Sequence, residues 1–170
     1  MTLVIDVLIP VASILVPTVI AIWLARSERQ GAEESRYLER RRQAAEPVIL
    51  ALAHFVSIDP VNDPMGPQLR DLRGRIAVYR ASLDKDDVLS GDWLALRHKS
   101  GMRVWSDAFD LIQESGGNPD AELTQQAVEP GHTWAYETIE LFSSWLAGSA
   151  MDEDLKLDGA RLIRQENQTS

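Results

Sequence analysis

Two kinds of hydrophobic pattern follow each other along the chain. Val7 to Ala25 is an unbroken uncharged run, interrupted only by Pro10 and Pro17, and beyond it apolar residues recur at helical spacing. As a helix the uncharged run is about 28 Å long, which matches the ~30 Å hydrocarbon layer of a bilayer. A core helix of that length would turn polar side chains to water, and this one offers only Ser13 and Thr18. Trp23 stands where an interfacial aromatic belongs, beside Leu24 and just ahead of Arg26 and Arg29. The pattern predicts a transmembrane helix from about Leu3 to Leu24. A cleaved secretory signal fits poorly, because the preceding MTLVID carries an acid and no Lys or Arg, and no A-x-A site follows.

Charge gives the span a direction. No Lys or Arg precedes it, whereas Arg26, Arg29, Arg36, Arg40, Arg41 and Arg42 follow it. The positive-inside rule then places the amino terminus outside and the rest of the chain in the cytoplasm, at the plasma membrane. Pro10 and Pro17 are seven residues apart and share one helix face. They either mark a stripe that pairs with another membrane helix or are simply tolerated there, as prolines in membrane helices often are.

After the span, Ala25 to Glu46 is charged nearly all round and rich in helix formers, the signature of a solvated spacer helix. The "PVILALAHFV" of Pro47–Val56 is too short to span a bilayer and predicts a core segment; Pro47 either opens a helix there or kinks a longer one. A proline-rich loop follows at Ser57–Pro67. Leu69, Leu72, Ile76, Tyr79 and Leu83 then form the seam of an amphipathic helix. A long helix is expected from about Asp92 to Glu114, with Leu94, Met102, Trp105, Ala108, Phe109 and Ile112 on one face and Gly116 and Gly117 to stop it. Asn118-Pro119-Asp120 predicts a short helix ending near Glu129–His132. Thr133 would cap another, whose apolar face holds Trp134, Leu141, Phe142, Trp145 and Leu146. The acidic end of the chain reads as a weak helix or a frayed tail.

The expected fold class is therefore all-α: one amino-terminal transmembrane helix and a small cytoplasmic antiparallel bundle of about four to five helices. The corresponding segments are residues 1–25 as anchor, 26–46 as spacer, 47–150 as bundle and 151–170 as tail.

Composition narrows the chemistry. The 170 residues include no cysteine, which excludes disulfides, thiolate metal sites and cysteine nucleophiles. Arginine far outnumbers lysine, a bias of GC-rich bacterial coding sequence. The net charge is −9 and falls on the distal part, where Arg161, Arg164 and Lys156 are the only cations after residue 103. Nucleic acid and anionic lipid would both be repelled by that half. Glu129 and His132 have the E-x-x-H spacing of di-iron bundle sites, but Pro130 and Gly131 intervene and no second such pair occurs. His54 and His98 read as rim or core residues. No nucleophile elbow or phosphate loop is present, so no catalytic, cofactor or metal residue is expected. Trp93 and Trp134 fall at expected helix starts and are the candidates for an exposed partner surface.

These readings converge on a single-pass membrane protein whose bundle is a non-enzymatic interaction or regulatory module. Its expected partners are the bilayer and a protein, or a second copy of itself. The alternatives are a small membrane-active, phage- or toxin-like protein assembling through its proline-bearing span, and an enzyme with an unrecognised site.

Overall fold

A computed structural model of the chain describes residues 35–83, 87–116 and 119–169. The predicted span, with Val7, Pro10, Pro17, Trp23 and Leu24, lies outside these residues, as do Arg26 and Arg29. The chain divides into two compact units, Met1–Arg40 and Arg41–Ser170. In the first, residues 35–40 are described and helical, with Arg40 Nε donating to the carbonyl of Arg36 at 3.3 Å. No described helix is long and apolar enough to cross a membrane.

The second unit is an all-α bundle. Helical residues 41–55 form α1, followed by α2 (Met65–Ser82), α3 (Val88–Glu114), α4 (Ala121–Leu146) and α5 (Asp152–Thr169). No strand occurs among the described residues. α3 is the central element and packs against α2, α4 and α5. Side-chain pairs show the directions. Tyr79 meets Ser90 while Leu69 meets His98, so α2 and α3 run antiparallel. Phe55 packs on Trp134 and Arg41 on Trp145, so α1 and α4 do likewise. α5 runs alongside α3, where Asp158 meets Arg97 and Glu166 meets Lys99.

Periodicity explains most of the core. Leu72, Ile76 and Tyr79 of α2 are buried as their spacing predicts, and so are Leu94, Trp105, Ala108 and Ile112 of α3. Two members of the expected α3 face depart from it: Met102 and Phe109 are about half exposed. They sit at the edge of the stripe, where they line an open notch with Pro64 and Met65 rather than the core.

Two prolines lie inside helices. Pro47 lies within the helical run of α1 and neither opens nor breaks it, with its ring on the exposed side. Pro130 lies inside α4, so the two helices expected on either side of "EPGH" are one. An interior proline costs about 3 kcal/mol. Burying Ala127, Gly131, Trp134, Ala135 and Thr138 on the opposite side of the same turns outweighs that cost. Helix starts shift as well. α3 begins at Val88, and the cap of α4 is Asp120, whose carboxylate accepts from the Leu123 amide at 2.8 Å. Gly116, at φ +80°, terminates α3 in the left-handed region that glycine adopts without strain.

The acidic end of the chain folds as α5 and joins the core. Leu155 and Leu162 are buried, and Gly159 approaches Leu96 and Trp93 of α3. A chain terminus that looked weak by composition is held by tertiary contacts.

Candidate functional site

The two tryptophans expected at the surface are in the core. Trp93 is 2% exposed and Trp134 4%, so neither forms a partner surface. Their placement follows from the helix boundaries: Trp93 lies a turn inside α3, and Trp134 lies in the middle of α4 because the helix does not end at Pro130.

Trp134 belongs to a reciprocal arrangement between α3 and α4. Its indole lies over Gly101, where a Cβ would come within 2.2 Å of the ring, and the Trp105 indole lies over Gly131, where a Cβ would come within 2.4 Å. Each helix thus offers a glycine as the seat for the other's tryptophan, and the indole lies directly on the backbone at both points. Trp134 Nε1 also donates to the carbonyl of Arg97 at 2.8 Å. Trp105 Nε1, by contrast, is buried with no hydrogen-bond partner, which costs about 1–3 kcal/mol. Phe55 packs against both rings, at 6.0 Å from Trp105 and 5.8 Å from Trp134.

Arg97, only 4% exposed, is the polar centre of the bundle. It grips Asp158 of α5 bidentately, Nε to Oδ2 and Nη2 to Oδ1, both at 2.8 Å, and its Nη1 donates to Glu137 of α4 at 3.4 Å. Asp158 also accepts from Trp93 Nε1 at 2.8 Å and from Arg161 at 2.9 Å. One carboxylate therefore takes four donors from two helices and is left without a lone pair to offer a substrate. The guanidinium likewise spends its donors within the protein. Chemically the cluster is a clamp that holds α5 onto α3 and α4.

A cation–aromatic contact closes the other end. Arg41, read in the sequence only as part of the basic flank, stacks over Trp145 at 3.3 Å from the ring centroid and lies 3.8 Å from Asp87. Trp145 Nε1 donates to Asp152 at 2.8 Å, tying the start of α5 to α4. Nearby, Tyr79 donates to Ser90 at 2.9 Å and Ser90 to the carbonyl of Asp87 at 2.8 Å. Burial pushes the Tyr79 phenol up to about 12, which keeps it a neutral donor throughout the physiological range.

Two histidines secure the loop over residues 56–64 and the helix it feeds. His132 Nε2 donates to the carbonyl of Ile58 at 3.1 Å and stands edge-on to Trp105. Because α4 is continuous, Glu129 and His132 do share a helix, but the histidine nitrogen is committed to that carbonyl and Glu129 is exposed. His98 Nε2 donates to the carbonyl of Leu69 at 3.1 Å. Burial holds its imidazole below the ordinary histidine range, and the nearby Arg73 acts in the same direction. His54 lies exposed on α1. Within the loop, Asp59 accepts from the Val61 amide at 3.0 Å and from Asn62 Nδ2 at 2.7 Å; Asn62 first and Val61 second hold its carboxyl below the usual range. Among the described residues, no three His, Asp or Glu side chains converge as metal ligands would.

The surface depressions are open grooves between helices. One, of about 370 Å³, lies between the start of α2 and α3 and is walled by Met65, Leu69, Met102, Trp105 and Phe109. Another, of about 470 Å³, follows the line of α4 and α5 past Glu137 and Arg161. The chain matches no known family model, no curated protein and no solved structure.

Proposed function

We propose that this chain is a single-pass membrane-anchored protein whose helical bundle acts at the cytoplasmic face as a non-enzymatic interaction or regulatory module. The observation that carries the reading is the uncharged run from Val7 to Ala25, bounded by Arg26, Arg29 and the further arginines at 36 and 40–42. Its length suits a bilayer and its flanking basic residues are all on one side. The bundle adds indirect support. Its most buried charged group, Arg97, is spent on Asp158, and its tryptophans are spent on packing. A domain organised in this way supplies surface rather than a reaction centre.

Membrane fractionation with alkaline extraction, combined with reporters fused at the carboxyl terminus, tests both halves of the topology. The chain is expected to stay with the membrane, and a reporter active only in the cytoplasm is expected to work. Release by alkali, or a reporter active only outside, would overturn the anchor or its direction respectively.

A further inference from the structure

α5 is seated differently from the helices it joins. Its buried positions among the described residues are Leu155, Gly159 and Leu162, a narrow stripe at four- and three-residue spacing, while Leu157 and Ile163 stay exposed. Polar anchors do the rest along its length. Asp152 accepts from Trp145, Asp158 from Arg97 and Trp93, and Glu166 from Lys99, and Arg161 lies 3.6 Å from Glu137. Grooves open along both flanks of the helix. One of about 470 Å³ faces α4, past Thr133 and Glu137, and one of about 320 Å³ lies against α3, past Lys99 and Arg103.

Two features let this helix leave without dismantling the others. The contacts that join α1 to α4, α2 to α3 and α3 to α4 run through Phe55, Tyr79, Ser90, Trp105 and Trp134, and none of them passes through α5. The chain enters α5 through a short turn in which Gly148 has φ +75°. The clamp is also reversible. On release Arg97 and Asp158 return to water together, so neither charge is left buried and alone. Release uncovers a groove on α3 floored by Trp93, Leu96, Ser100 and Val104, with the Arg97 guanidinium at its centre and Glu137 of α4 at its edge.

We propose that α5 is the built-in occupant of a helix-binding groove on α3, and that it opens as a unit while α1–α4 stay folded. Its own pattern defines the ligand class. The groove takes an amphipathic helix of a protein partner that carries a carboxylate and a small residue between two leucines seven positions apart, as Leu155, Asp158, Gly159 and Leu162 do. The leucines cover the apolar floor, the small residue admits Leu96, and the carboxylate takes Arg97 bidentately. A partner helix displaces α5 by filling the flanking grooves that α5 leaves open. A second copy has no such advantage, because exchanging one α5 for another adds no contact. The inference rests on the interaction-module reading above and deepens it: it names the surface and the kind of helix that fits.

Native-state hydrogen exchange of the full-length chain in detergent micelles, at low denaturant, is the first test. The amides of residues 155–162 are expected to exchange together, with one denaturant slope, at least about tenfold faster than the buried amides of α3. Exchange that instead grades inward from residue 169 is fraying, and exchange of α5 in step with α3 is global unfolding; either overturns the proposal. Asp158→Arg sets a cation against Arg97 and Arg161 and is expected to strip protection from α5 while that of α1–α4 persists. A labelled peptide of residues 151–169 is then expected to bind this variant at least about tenfold more tightly than the wild-type chain, whose groove is filled by its own helix. The same peptide carrying Asp158→Arg is expected not to bind. Loss of protection throughout the bundle, or equal peptide binding by the two chains, overturns the proposal. Concentration-dependent association of the wild-type chain through α5 would also overturn it and assign the groove to a second copy. Alkaline extraction separates this inference from the anchor. Release from the membrane defeats the anchor and leaves the groove standing, while retention without these exchange and binding signals defeats only the groove.

Discussion

Two sides of α3 are held by opposite means. Toward α4 the contact is dry and shaped, with Trp105 seated on Gly131 and Trp134 on Gly101, and Phe55 against both. Toward α5 it is charged, with Arg97 gripped by Asp158 and Arg161 bracing the same carboxylate. The first seam tolerates no added atom, and the second tolerates no missing charge. Each fixes the register of its helix pair, since moving one helix by a residue would drive a Cβ into an indole on one side and leave a buried ion alone on the other.

The sharpest way to break the comparison is to remove one ion. Asp158→Ala leaves the nearly buried Arg97 without its main counter-ion and is expected to cost about 3–5 kcal/mol. Urea titration followed by tryptophan fluorescence measures the loss. Replacing both partners, R97M/D158L, is expected to recover most of it, because burying two apolar side chains avoids the desolvation cost. Trp93 loses its acceptor in both variants, so that cost cancels between them. If the double variant is as unstable as the single one, the clamp is valued for something other than charge satisfaction.

Glycine substitutions probe the shaped seam. Gly101→Ala and Gly131→Ala each place a methyl group well inside the contact distance of a rigid indole and are expected to cost about 1–3 kcal/mol. Gly159→Ala, in the charged seam, meets Leu96 only at 3.6 Å and is expected to be neutral or to stabilise by up to about 1 kcal/mol through helix propensity. Thermal melts of the three variants test the contrast. Similar melting temperatures for all of them would mean that the tryptophans shift aside without cost.

The smallest effect is one of pH. His98 has its pKa lowered in the fold by burial and by Arg73, so the unfolded chain binds a proton more readily than the folded one. The resulting stability is fully present above the unfolded value of about 6.5. It is lost as pH falls through the folded value. His98→Gln is expected to flatten this part of the profile, as measured by denaturant midpoints between neutral and mildly acidic pH. An unchanged slope would assign the acid sensitivity of the bundle to other groups.

Much of the architecture was legible because its causes are local. Leu72, Ile76 and Tyr79 repeat at helical spacing and are buried where that spacing puts them. Pro130 departs from its local reading because a local cost is set there against packing that no window of sequence displays. Pro130 would end an isolated helix, yet α4 continues because the side facing the core is filled by residues from other helices. Trp134 followed that error to the surface. The glycine seats at 101 and 131 were invisible for the same reason, since each is explained by a tryptophan on another helix. Arg97 and Asp158 lie 61 residues apart, and nothing in the composition of the acidic end announced that its aspartate had a buried partner.

By itself the sequence determined that the described chain would be helical, that it would hold no cysteine chemistry, and that its charge would be concentrated in its distal half. Those properties come from residue identity and short-range periodicity, which act before any tertiary contact exists. Tertiary structure alone decided which glycines had to be glycine, which arginine was buried, and that the last helix belonged to the core. Each of those depends on what a side chain meets across the bundle, and steric and electrostatic complementarity between distant segments is a property of the folded arrangement, not of any stretch within it.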